Sequence, residues 1–257
     1  MLSNTIFKKD HRTVVECSKC KFLYAAAFDE LELIRLYKRE YYTSKDDPKI
    51  QEWIDRNCNI WLELAKEIKN KLPTKCCLLD VGAGTGGFLC AINEVMPEVS
   101  LDAIESSREA VESIKERIPI VQFPAETFDA MSRNYEKKYT IITMLQCLEH
   151  ITNPLEYLKI ANSLLEDDGY LLITVPNRYT YRALIKKYDE PLCFGNQTHL
   201  QFFSIHSIEN ILKEAGFKKF KRVASFGGTH KNILTSGIQY IFRILGFSSE
   251  LKYLAQK

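Results

Sequence analysis

The stretch "LLDVGAGTGGFL" (78–89) constrains this chain more than any other. An apolar run enters a cluster of glycines, and a hydrophobic segment with helical spacing leaves it. That pattern reads as strand, tight turn and helix. Glycine accepts the left-handed backbone of such a turn and lets a ligand approach the main chain with no β-carbon in the way. The N–H groups at the start of the following helix suit a carboxylate or phosphate. The stretch satisfies G-x-G-x-x-G at Gly82, Gly84 and Gly87, the form of a nicotinamide-dinucleotide loop. Glu105 closes the next apolar run, about where such folds place a ribose-binding acid.

The rest of the chain alternates around this loop. "CCLLDV", "SLDAIE", "PIVQF", "YTIITML" and "YLLITV" read as strands, separated by helical segments such as "SREAVESIKERI" and "PLEYLKIANSLLE". Short apolar strands joined through helices mean right-handed crossovers and a buried parallel sheet. "FKKFKRVA" and "SELKYLAQK" supply two more strands, with an amphipathic excursion at 233–247 read as a helix over the core's edge. The expected fold is α/β, a Rossmann-like seven-stranded, mostly parallel sheet with helices on both faces. Residues 1–72 form a small helical N-terminal extension with lid helices: 1–50 look irregular apart from a short helix at "LELIRLYKREYY", and a helix over 51–71 stops at Pro73. Residues 73–257 form the ligand-binding domain, with an inserted lid at about 176–203.

Composition excludes other classes. No apolar run is long and uncharged enough for a membrane span, and the start lacks the apolar core of a secretory signal. The net charge of +2 shows no concentrated basic stripe, so nucleic acid is not expected as a partner. Several of the eight cysteines sit inside apolar segments and read as small buried hydrophobes in a reducing compartment. Cys17 and Cys20 have zinc-knuckle spacing, but no second pair precedes them, so zinc is not expected. A cytoplasmic protein follows as the expectation, either monomer or homodimer.

Asp80 separates the two cofactor readings. Two residues before its first glycine, a dinucleotide loop carries an apolar residue, whereas this chain has a carboxylate. A charge at the end of a buried strand is costly unless something pairs with it, and a cationic amino-acid ligand is such a partner. With Asp80, Gly82, Gly84 and Gly86 the loop resembles the acid-x-G-x-G-x-G motif of class I S-adenosylmethionine-dependent methyltransferases. "CLEHITNPLEYLKIANSLLEDDGYLLITVPN" and "HLQFFSIHSIENILKEAGF" resemble the subgroup that includes ubiquinone-biosynthesis O-methyltransferases. "ECSKCKFLY" with "LIRLYKREYY" is similar to bacterial relatives tied to surface-sugar pathways. These motifs cover most of residues 14–220.

The resemblance implies S-adenosyl-L-methionine as cofactor and a role for each matching position. Glu105 accepts both ribose hydroxyls, with Ser106 beside it. Gly82, Ala83, Gly84 and Gly86 bring the backbone to the methionine part. Ala125 and Glu126 flank the adenine; Pro124 stands where the family often has an acid. Met144, Leu145 and Gln146 border the sulfonium, and Tyr41 with Tyr42 resembles a family tyrosine pair near the cofactor or acceptor, an aromatic lid packing the amino-terminal helix being the other reading.

Methyl transfer to a hydroxyl needs alignment and removal of a proton. His199, in the lid, and His150, after the fourth strand, have the pKa range for that base; packing or capping is the other reading for His150. Ubiquinone-type relatives carry E-x-x-E-H here, whose acids help bind magnesium. The matching residues are Gln146, Glu149 and His150, and the amide is a weaker ligand for a hard cation, so no metal is expected. The acceptor is expected to be a small molecule, a phosphorylated or nucleotide-linked surface-glycan precursor, with Arg178, Arg182, Lys186 and Lys187 read as anion contacts or a solvated helix face. A noncatalytic methyltransferase-like binding partner and an RNA-modifying methyltransferase are the alternatives.

Overall fold

The computed structural model describes residues 3–41, 48–131, 135–189, 193–223 and 247–257. Three antiparallel strands come first, β1 (Ser3–Lys9), β2 (Arg12–Cys17) and β3 (Leu23–Phe28), then helices α1 (Glu30–Tyr41) and α2 (Pro48–Lys69). The expected helices are there, but the irregular start is a small sheet. Thr5, Ile6, Thr13, Val14 and Val15 are β-branched and favour a pleated surface, and Val14, Val15 and Leu23 are buried.

The alternation then holds. In order come β4 (Cys77–Val81), α3 (Gly87–Val95), β5 (Ser100–Ile104), α4 (Arg108–Arg117), α5 (Phe128–Met131) and β6 (Tyr139–Leu145). They are followed by α6 (Pro154–Leu164), β7 (Leu165–Pro176), α7 (Tyr181–Lys186), β8 (Gln201–Phe202), α8 (Ile205–Glu214), β9 (Lys219–Arg222) and β10 (Glu250–Gln256). The main sheet runs β5-β4-β6-β7-β10-β9, parallel through its first four strands, with β10 antiparallel to both neighbours. The fold is α/β and Rossmann-like, with six strands among the described residues where seven were expected. "PIVQF" is reduced to a single parallel bridge, Asp102 to Gln122. Pro119 and Pro124 bracket it, and proline cannot donate to a ladder. All but the last residue of the 233–247 excursion lies outside the described residues.

Side chains on successive strand residues enter opposite layers. Leu79, Ile142 and Leu171 join the side covered by α6 and α8, and Leu78, Ile141 and Leu172 join the side covered by α2, α3 and α4. Each fully buried leucine or isoleucine contributes about 1.5–3 kcal/mol. The parallel strands thus point their carboxyl ends at one edge, where ligands of such sheets bind. A β8–β3 pairing (Leu23 with Phe202) joins the N-terminal sheet to the segment that crosses this edge.

Candidate functional site

The loop after β4 forms as its glycines dictate. Gly82, Gly84 and Gly86 all have positive φ, at 75°, 53° and 73°. Three glycines are also packed against neighbours: a β-carbon on Gly82 would meet Cys147 Sγ at 2.9 Å, one on Gly86 would meet Ile114 at 2.6 Å, and one on Gly87 would meet the Trp61 ring at 2.1 Å. Gly87, the third glycine of the dinucleotide pattern, therefore serves contact between α3 and α2. Over Gly84 nothing lies within 4 Å. Its N–H donates to Glu105 Oε2 at 2.7 Å, and Ser107 N donates to Oε1 at 2.8 Å. Glu105 thus reaches back to the loop from the end of β5, with exposed Ser106 beside it.

Asp80 sits beneath this loop, 3% exposed, with Oδ1 accepting from Thr143 Oγ1 at 2.5 Å. Burial first, then the nearby Glu105 charge, pushes its pKa up to about 7, against the pull of the Thr143 hydrogen bond. Among the described residues no cation pairs with it. A buried acid without a cation, beside open space over Gly84, fits a ligand that carries positive charge.

The remaining positions divide. Ala83 and Ala125 are half-buried, and Glu126 is exposed. Leu145 is half-buried at the end of β6. Met144 is 0% exposed, and strand alternation turns its side chain into the core. Gln146 has φ 53° and its amide nitrogen donates to Thr174 Oγ1 at 3.3 Å and Glu250 Oε2 at 3.0 Å. Tyr42 lies outside the described residues, as do the side chains of Tyr41 and Arg182.

Both expected bases meet on one acid. A short 3-10 turn (Leu148–His150) follows β6 and buries Glu149 at 1% exposure, and neither of its carboxylate oxygens has a hydrogen-bond partner. Oε1 lies 4.0 Å from His150 Nε2 and 4.0 Å from His199 Nε2. The two rings stack edge to face at 4.8 Å, and Tyr37 of α1 closes over His150 at 5.7 Å. His150 Nδ1 bonds the Thr198 carbonyl at 3.1 Å, and His199 Nδ1 bonds the Cys193 carbonyl at 2.9 Å. Burial lowers His150 to about 4 and, with His150 adjacent, His199 to about 3, whereas burial raises Glu149 to about 8. Both imidazoles are neutral across ordinary pH, with the lone pair on Nε2.

Sequence reasoning missed the scaffold of this cluster. Arg12, 2% exposed, donates to the carbonyls of Asn196 (2.6 Å), His199 (2.7 Å) and Phe194 (3.1 Å), holding the His199 segment against β2. Arg178, expected on an anion-facing or solvated helix face, is instead buried. It donates to the Lys21 carbonyl at 3.1 Å and the Tyr179 hydroxyl at 2.8 Å. Lys186 and Lys187 are exposed. No local signal distinguishes these arginines from surface ones, because their carbonyl partners lie far away in sequence. A shallow hollow lined by Pro73, Lys75, Glu98 and Ser100 lies at the amino ends of β4 and β5, the wrong end of a parallel sheet for a ligand.

The acid-led glycine loop and the buried His–Glu cluster both lie at the carboxyl ends of a Rossmann-like α/β sheet, a fold shared with known methyltransferases. The family described as "Methyltransferase domain" matches residues 48–221, and the chain belongs to it. Similar curated proteins include an uncharacterised protein of Methanocaldococcus jannaschii, 22% identical and covering 84% of this chain and 94% of its own length. Another is malonyl-[acyl-carrier protein] O-methyltransferase 2 of Ilyobacter polytropus, 23% identical over 77% of this chain and 72% of its own. A ubiquinone biosynthesis O-methyltransferase of Glaesserella parasuis is 31% identical over 39% of this chain and 45% of its own. Among solved structures, a SAM-dependent methyltransferase of Thermotoga maritima aligns with TM-score 0.59 at 16% identity, covering 87% of this chain and 99% of the other. The plantazolicin methyltransferase, solved with S-adenosylhomocysteine, aligns with TM-score 0.57 at 19% identity over 89% and 99%. At these identities the solved structures establish the fold alone.

Proposed function

We propose that this chain is an S-adenosylmethionine-dependent methyltransferase of a small molecule, and that it O-methylates a phosphorylated or nucleotide-linked precursor of a surface glycan. The observation that carries the cofactor reading is Glu105, whose carboxylate meets the Gly84 N–H at 2.7 Å beside open space over that glycine. Each carboxylate oxygen keeps a further acceptor site for a ribose hydroxyl. Asp80 supplies buried negative charge under the same loop, suited to a ligand with an ammonium and a sulfonium. Gly82, Ala83 and Gly86 shape the loop, Ser106 supports Glu105, and Ala125, Glu126, Leu145 and Gln146 line the same edge. Met144 acts through its backbone, and Tyr42 keeps its sequence-based assignment.

Bound there, the cofactor supplies an electrophilic methyl group on a good leaving group. The chain's residues then orient the acceptor and take its proton. His199 and His150 fill that role, since each holds its Nε2 lone pair away from the carbonyl that fixes Nδ1. Residues 1–72 form an extension and 73–257 the cofactor domain, with 176–203 as lid. Oxygen as the accepting atom is supported by the names of two curated relatives. The glycan assignment rests on the front-end resemblance, and of the four lid cations Arg178 drops out as an anion contact.

Calorimetric titration with S-adenosylmethionine, S-adenosylhomocysteine and NAD tests the cofactor. Saturable binding of the first two without NAD is expected, and NAD binding alone overturns the reading. A methylation screen of nucleotide-linked sugars then tests the acceptor, with transfer only to non-phosphorylated acceptors counting against it.

A further inference from the structure

Around Glu149, side-chain acceptor atoms of three described residues converge. A carbonyl only accepts, so the Nδ1 atoms facing Thr198 O and Cys193 O carry the protons and each neutral ring keeps its lone pair on Nε2. Both Nε2 atoms face the same carboxylate, which is 1% exposed and accepts no hydrogen bond. A buried carboxylate in that state is expensive. A proton removes the charge but leaves both oxygens without a hydrogen-bond partner, because 4.0 Å is beyond hydrogen-bond reach.

We propose that Glu149, His150 and His199 bind a divalent transition-metal ion of the zinc class through one carboxylate oxygen and the two Nε2 atoms. The ligand atoms lie within 4.8 Å of one another. Zinc bonds of about 2.0–2.2 Å put neighbouring ligand atoms about 3.3 Å apart, so an ion draws them in by on the order of 1 Å. The carbonyls on both Nδ1 atoms act as the outer partners that orient metal-binding histidines. Arg12 holds the segment bearing one of them.

The site disfavours the magnesium ion of the ubiquinone-type pattern. Magnesium demands octahedral oxygen ligands, and this cluster offers one carboxylate and two imidazoles. The position of the missing acid is Gln146, whose amide is turned to Thr174 and Glu250. Nitrogen ligands suit zinc, cobalt and iron. Three protein ligands also leave a position open, and a hydroxyl bound there would have its pKa lowered. With both Nε2 lone pairs on the ion, the histidines would hold the metal and not act as the base, and the acceptor's proton would pass to the Glu149 oxygen that does not bind it.

The test is direct binding to chelator-stripped full-length protein without cofactor, so its outcome does not depend on methyl transfer. The background carries Cys17→Ser and Cys20→Ser, which removes the one free thiol pair on the β2–β3 turn as a competing zinc site. Cobalt(II) and zinc are expected to bind at one equivalent, at least ~100-fold tighter than magnesium, with cobalt absorption bands of nitrogen and oxygen coordination. Glu149→Gln keeps the shape of the site, and it and His199→Ala should each weaken binding at least ~10-fold. If His199→Ala fails to fold, Glu149→Gln alone decides. Magnesium binding as tightly as zinc, no retained equivalent, or undiminished affinity in folded Glu149→Gln overturns the proposal.

Discussion

The glycine loop takes its backbone shape from consecutive residues, whereas the Glu149 cluster joins the end of β6 to a distant segment that carries His199. In the loop, positive φ at Gly82, Gly84 and Gly86 and the hydrogen bond from Gly84 to Glu105 follow from a strand, a turn and the next strand. At the cluster, Arg12, the β3–β8 pairing and the hydrogen bond from Leu200 N to the Glu149 carbonyl at 2.7 Å hold the His199 segment in place. The first region owes its backbone path to local sequence, and the second is assembled from distant segments and tightly buried. Substitutions should therefore act differently on the two.

The largest effect is expected from His199→Ala. Turnover should fall by about 10²–10⁴-fold, the range for a lost proton acceptor, while S-adenosylhomocysteine affinity by calorimetry stays within about twofold. Loss of cofactor affinity as well would mean that the two regions are coupled.

Asp80 gives the next effect, through pH. Its folded pKa of about 7 lies above the ordinary carboxylate value, so between about pH 4 and 7 the folded protein binds a proton that the unfolded chain has released. Stability of the ligand-free protein should fall as pH rises through that window, by about 4 kcal/mol when complete. Asp80→Asn should remove this slope in urea titrations at several pH values, leaving the variant more stable than wild type at pH 8. In wild type, cofactor affinity should rise over the same window as the carboxylate ionises. A flat stability profile would show that Asp80 is not titrating there.

Glu105→Ala should weaken cofactor binding by about 100-fold, about 3 kcal/mol for lost hydrogen bonds to a charged group. Unchanged calorimetric affinity would remove the ribose assignment. The smallest pair compares two glycines. Gly87→Ala drives a β-carbon into Trp61 and should cost about 1–3 kcal/mol of stability. Gly84→Ala meets open space, so only its backbone strain of about 1–2 kcal/mol remains. Equal thermal shifts would erase the distinction between a packing glycine and a ligand-facing one.

Much of the fold was legible because strand and helix periods are local properties. Leu78 and Leu79 alternate between layers as a parallel strand requires, and the acid-led glycine motif marks the edge where ligands bind. "PIVQF" failed as a strand because prolines flank it. Residues 3–28 hid a sheet whose fourth strand lies at 201–202. Met144 and Arg178 illustrate the same limit at the site. Each was read from its neighbours in sequence, and each is directed inward by contacts that no local window contains.

By itself the sequence determined the α/β alternation, the left-handed glycine turn, and the pairing of that turn with Glu105, because each depends on backbone sterics or on adjacent strands. Tertiary structure alone decided that Glu149, His150 and His199 share one point, that Arg12 is interior, and that Asp80 is buried with no cation beside it among the described residues. Burial sets the cost of charge, and burial is a property of what packs around a residue, which the order of the chain does not state.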